Sequence, residues 1–354
     1  MRKAFGILLL TACSGKETAG DDDATDVTPP TQAPGGDCVA DGAAGTTWGE
    51  QGPFIPVTAI VTYEFGELDG RVTRIYVPEH PRAVAIPFEG RKVYHAGDGI
   101  KESGSLEWQP LWNELIQSGF AVVATEANPE EVDDHDWDLN PNLDVNDDMQ
   151  HVLAFLEQVV DSTPLETSTP ILLVSFSGAG NFVNIIAPAL TDAGYDVRAA
   201  DIHDGSTWLW DNDFPTVWVT QSNEFADDTD ITREDGQGHA ATSYEEHIAK
   251  GNVGLYLPTP EIPFTPNRML RHPDYDAAMA TQAFDEAVRL GIMDAGGNRL
   301  FDILDYEYNE KLYENESVSP GPARVTEQFE VVWAVHRYNG VHAIEECRFL
   351  IPYF

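Results

Sequence analysis

The chain has 354 residues, enough to bury a large core, and 42% hydrophobic residues with eight tryptophans point to a globular protein. Sixty acidic against twenty basic side chains leave a formal net charge of −40, which argues against nucleic acid and anionic membrane surfaces as partners. A saline habitat accounts for such an excess as well as function does, because repulsion is screened beyond about 3 Å in molar salt against about 8 Å at physiological ionic strength.

Met1 to Cys13 combines a basic start, a short apolar core and small residues before a cysteine, the pattern of an export signal. Leu10-Thr11-Ala12-Cys13 resembles a bacterial lipoprotein box. That resemblance implies cleavage before Cys13, a lipid on its sulfur and, with Ser14 following, sorting to the outer membrane. An ordinary secretory signal is the rival. Residues 14–47 are acidic, contain Thr and Pro and are poor in large apolar residues, so they are expected to form a disordered tether. Residues 48–354 would be the folded domain. Two more cysteines, Cys38 where the folded part starts and Cys347 near its end, could pair in an oxidising compartment or stay as free buried thiols.

Val57–Phe65 and Arg71–Val77 are rich in β-branched and aromatic residues, and the Gly66–Gly70 separator makes them an antiparallel hairpin. Ala83–Phe88 and Phe120–Ala124 read as buried strands on either side of a helix marked by Trp108, Leu111, Trp112, Leu115 and Ile116. The acidic run from Glu130 to Asp144 invites a calcium site through Asp134, Asp136 and Asp138. No register supplies both the turn glycine and the closing carboxylate of a calcium loop, which favours a solvated loop. A helix comes next, with Asn146-Asp147-Asp148 at its start.

Pro170-Ile-Leu-Leu-Val-Ser-Phe-Ser177-Gly-Ala-Gly-Asn181 then passes from an apolar strand, through a serine among small residues, into a helix with Phe182, Ile185, Ile186, Ala189 and Leu190 on one face. Small-x-Ser-x-small at such a corner resembles the nucleophile elbow of the α/β-hydrolase superfamily, with Ser175 and Ala179 in place of the usual glycines. The resemblance implies an α/β fold with a mostly parallel sheet and a helical lid. It also implies a serine hydrolase acting on small-molecule or lipid esters. The sequence has no His/Cys cluster with zinc-ligand spacing, phosphate loop or dinucleotide fingerprint, so no cofactor and no metal are expected. The nucleophile would be Ser177. In the family's order the acid comes after it, and Glu224 aligns with that acid; Asp227, Asp228 and Asp204 are the alternatives. The histidine should lie past the last strand, expected at Phe329–Val335. His342 is the choice, with His336, His272 and His239 as alternatives. The Gly178 amide would be one oxyanion donor, and an amide near Arg91 or Ala96 the other. The lid is expected within 229–326, which holds a proline-rich stretch and a helix marked by Ala280, Phe284, Ala287 and Val288. A different class of function remains open: a surface lipoprotein that keeps this fold as a binding module without catalysis. Membrane contact is expected only through the lipid anchor, and the oligomeric state is not legible.

Overall fold

The structure, a computed structural model, describes residue 38 and residues 64–90, 106–128, 137–205, 210–221, 238–270, 275–300, 329, 333 and 340–354. Cys13, Arg91, Ala96, Glu224, Asp227, Asp228, His272 and His336 lie outside the described residues, as do the signal, the tether and most of the acidic run.

Eight strands form one sheet in the order β1-β2-β4-β3-β5-β6-β7-β8. They are β1 Glu64–Leu68, β2 Arg71–Tyr76, β3 Ala83–Phe88, β4 Phe120–Thr125, β5 Pro170–Phe176, β6 Asp196–His203, β7 Thr216–Gln221 and β8 Gly254–Thr259. β2 is antiparallel to β1 and β4, and the remaining pairs are parallel. This is the sheet of the α/β-hydrolase fold. The hairpin turns three residues later than its composition suggests: β1 runs to Leu68 and the turn is Asp69-Gly70, with φ of 52° and 81°. An Asp-Gly pair with both φ positive matches the right-handed twist of the strands it joins.

Side-chain alternation along the strands builds two cores. Val84, Ile86 and Phe88 of β3 and Ile171 and Leu173 of β5 face α2 (Asp147–Ser162), α3 (Ala179–Asp192) and α4 (Gly238–Ala249). Ala83, Ala85, Leu172 and Val174 face the other way, onto α1 (Gln109–Gln117) and α7 (Ala343–Leu350). Strands buried on both faces read as unbroken apolar runs, which is why β3, β4 and β5 stand out in the sequence.

The eighth strand corrects the expectation from sequence. Phe329 is helical and Trp333 lies in a turn, so no strand includes them. The strand beside β7 is instead Gly254–Thr259. Pro258 is tolerated there because β8 is an edge strand and owes hydrogen bonds on one side only. The segment expected to be all lid therefore contributes α4 and β8 to the sheet layers. The chain beyond β8 has its own small core: Phe264 stacks on Phe329 at 4.1 Å between centroids, and Met269, Ala280, Ala283, Ala287 and Trp333 are buried with them. The helix expected around Ala280 is α6, Ala277–Arg289, capped by the Asp276 carboxylate on the Met279 amide.

Asp148, at the start of α2, ties down the loop that joins β4 to that helix. Its carboxylate pairs with Arg71 and accepts the amides of Asn128 at 3.0 Å and Asp138 at 2.6 Å. Arg71 is 5% and Asp148 1% exposed, so neither charge can fall back on water. Beyond it Asn140, Asp144 and their neighbours form successive turns in which each side chain at i accepts the amide at i+2, and the Asn146 amide closes the set on the carbonyls of Asp138 and Asn140.

Removing Asp148 strands a buried guanidinium and two amides, so Asp148→Ala should cost about 3–5 kcal/mol in a urea titration; a loss below about 1 kcal/mol would show that the pair is replaceable. His151, one turn along α2, is pushed down to about 4 by burial first and by Arg71 second, and it shares a hydrogen bond with Thr125 Oγ1. Its folded pKa lies below the unfolded value of about 6.5, so the unfolded state takes up the proton first as pH falls. Stability should decline between pH 6.5 and 4, and His151→Gln should flatten that limb of a melting-temperature profile.

Candidate active site

β5 ends at Phe176, and Ser177 occupies the corner before α3 with φ of 58°. A non-glycine residue in the left-handed region stores on the order of 1–3 kcal/mol and persists only where its surroundings fix it. The Ser177 amide donates to the His203 carbonyl at 2.9 Å, and its carbonyl accepts the Gly180 amide at 3.0 Å. Ser175 and Ala179 are buried at 0% and 1% exposure, so small side chains are required on both flanks. Gly178 is the N-cap of α3, at the end of the helix where backbone amides lack helical acceptors.

The loop leaving β3 presses on this corner. A Cβ built on Gly90 would stand 2.7 Å from Ser177 Cβ and 3.1 Å from the Phe176 ring, a space only glycine fits. Trp137 holds that loop from behind: its indole donates to the Glu89 carbonyl at 2.9 Å while its ring stacks on Phe182 of α3. The acidic run thus contains a buried tryptophan. Asp138, one of the three carboxylates weighed for calcium, caps the turn at Asn140 and donates its amide to Asp148.

His342 closes a 3₁₀ turn, Gly340–His342, directly before α7. Its Nε2 shares a hydrogen bond of 3.1 Å with Thr259 Oγ1, at the C-terminal end of β8. Burial, and secondarily His203, push its pKa down to about 4, so the imidazole is neutral at pH 7 and has a lone pair to offer. The turn is fastened from two sides. Glu107 accepts the Gly340 amide at 3.3 Å through one oxygen and pairs with Arg268 at 3.0 Å through the other, with both side chains of the ion pair at 0% exposure. Arg268 lies on α5, Pro266–Met269, in the segment past β8.

Of the candidate acids only Asp204 is described. It has φ of 43° and 2% exposure, donates its amide to the Val219 carbonyl at 2.8 Å and accepts the Gln221 side-chain amide at 2.9 Å. Ser177 and Asp204 are therefore both left-handed residues, at the ends of neighbouring strands. His239 belongs to α4.

His203 is a residue that sequence reasoning missed. Its carbonyl anchors Ser177, its ring lies 6.5 Å from the Trp108 ring, and its charge acts on His342. A signal existed: Asp201 and His203 stand two apart in the buried half of β6, after Ala199-Ala200, hence on one face of it. Cys38 and Cys347 are joined by a disulfide with a Cα separation of 6.0 Å, which ties residue 38 to α7.

No protein-family model matches the chain, and no curated protein resembles it. Solved structures are similar in arrangement. A bacterial heroin esterase aligns with a TM-score of 0.38 and 13% identity over 62% of this chain and 82% of its own. An esterase from the planctomycete Thermogutta terrifontis aligns at 0.37 and 12%, over 67% and 95%. An esterase/lipase from an uncultured bacterium aligns at 0.38 and 9%, over 60% and 78%.

Because any side chain at position 90 must displace Ser177 or the Phe176 ring, Gly90→Ala should disturb the corner more than it disturbs the core. The amide hydrogen exchange of residues 177–181 should accelerate. Unchanged protection there would mean the loop yields instead.

Proposed function

We propose that the protein is a serine hydrolase that cleaves carboxylic esters. The observation that carries this reading is the left-handed Ser177 at a strand-to-helix corner, in a sheet with the hydrolase strand order. A serine hydroxyl is a weak nucleophile until a neutral imidazole takes its proton. Ser177 Oγ would attack the ester carbonyl while His342 accepts the proton and later returns it to the leaving alkoxide. A water activated by the same imidazole would then hydrolyse the acyl-serine. The Gly178 amide and an amide at Arg91, next after the glycine that packs on Ser177, would stabilise the tetrahedral oxyanion, a contribution worth about 10²–10³ in rate per donor in serine proteases. Glu224 is proposed to orient His342; Asp204 is the alternative, favoured by its burial and its place beside the Ser177 corner.

The reading extends to location. Export, acylation at Cys13 and attachment to the outer membrane are proposed from the sequence of the first 14 residues. A Cys13→Ser variant that still sediments with membranes would remove the anchor from the account.

A fluorophosphonate probe reports an activated serine directly. The wild-type protein should be labelled and should hydrolyse short p-nitrophenyl esters. Ser177→Ala should abolish labelling, and either Ser177→Ala or His342→Ala should lower turnover by at least about 10³-fold. A folded wild-type protein that neither labels nor turns over would favour the binding-module reading.

A further inference from the structure

Behind the Ser177 corner, on the face of the sheet that meets α1 and α7, three titratable side chains converge with no role in the chemistry above. Asp201 and His203 project from β6, and Glu346 reaches them from α7. None is more than 1% exposed. His203 Nε2 lies 3.2 Å from Asp201 Oδ1 and 3.6 Å from Glu346 Oε2, and one potential ligand atom from each of the three falls within 4.8 Å of the others. Among the described residues no hydrogen bond reaches either oxygen of Asp201 or of Glu346, and all four are buried. Two carboxylates lie here in an apolar layer, and buried charges are normally paired or bound to a metal.

We propose that Asp201, His203 and Glu346 bind one divalent transition-metal cation, of the zinc or manganese class, that joins β6 to α7. Ligands at 2.0–2.2 Å in tetrahedral array stand about 3.3 Å apart, and the contacts of 3.2 and 3.6 Å already bracket that spacing. One imidazole with two carboxylates suits zinc, manganese or cobalt better than magnesium or calcium, which prefer oxygen ligands and retained water. Nε2 would supply the lone pair, leaving the ring proton on Nδ1. The ion would be structural. Since α7 begins directly after His342, it would also fix where that histidine stands, but the binding itself does not depend on the hydrolytic reading.

The test uses the full chain purified without chelators. Elemental analysis should find about one equivalent of metal per chain. After stripping, titration with Zn²⁺, Mn²⁺ or Co²⁺ in molar salt, which screens diffuse binding to the acidic surface, should restore one equivalent and raise the melting temperature. Co²⁺ should give visible ligand-field absorption. The near-isosteric double variant Asp201→Asn, Glu346→Gln should lose the equivalent, the thermal shift and the absorption. His203→Gln, which keeps both carboxylates, should weaken binding at least tenfold and serves as the second variant if the first does not fold. Wild-type protein that takes up no cation, or variants that bind as the wild type does, would overturn the proposal and leave a proton-sharing carboxylate pair. Because esterase activity is not the readout, failure here is distinct from failure of the hydrolase reading.

Discussion

The parallel pairing of β5 with β6 is the constraint on which the rest of the molecule leans. Its last register, Phe176 opposite His203, continues past the strand end as the bond from the Ser177 amide to the His203 carbonyl. That bond fixes a residue whose backbone would relax if left alone, and every neighbour is chosen to let it stay there. Small residues flank it, a glycine lies against its Cβ, and a tryptophan in the middle of the acidic run holds the residue before that glycine. Local strain of about 1–3 kcal/mol is a sizeable fraction of a typical stability of about 5–15 kcal/mol, so such a corner survives only where packing leaves it no exit.

β6 thus has two duties on its two sides. Its backbone steadies the serine corner through the strand edge, while its side chains on the α1 and α7 face carry Asp201 and His203 into an apolar layer. The first duty is geometric and the second electrostatic, and they meet in one residue. His203 touches the serine through its carbonyl and influences His342 through its ring.

How much of this was legible in the sequence depends on what each segment buries. β3, β4 and β5 are covered on both faces and announce themselves as apolar runs between breakers; α2 and α6 show helical spacing and real side-chain caps. β8 hid because an edge strand is only half covered, and Gly254-Leu-Tyr-Leu-Pro-Thr sits beside a proline-rich stretch that reads as loop. Phe329 and Trp333 misled for the opposite reason. An apolar aromatic run looks alike whether it fills a strand or the small core around Phe264, and periodicity cannot separate the two over so few residues. Ser177 was visible from its local pattern. His203 showed only as a polar residue two after Asp201, because its importance comes from the strand beside it and from a helix more than a hundred residues away.

The buried pair of Arg268 with Glu107 gives the region past β8 a mechanical character. A guanidinium and a carboxylate shut away from water cannot separate by a little: opening exposes or strands both, and the Gly340 amide loses its acceptor in the same event. Swinging that region outward would accordingly unfasten the turn that carries His342, so displacement of the outer segment and release of that imidazole would be one event, as a latch and its bolt are.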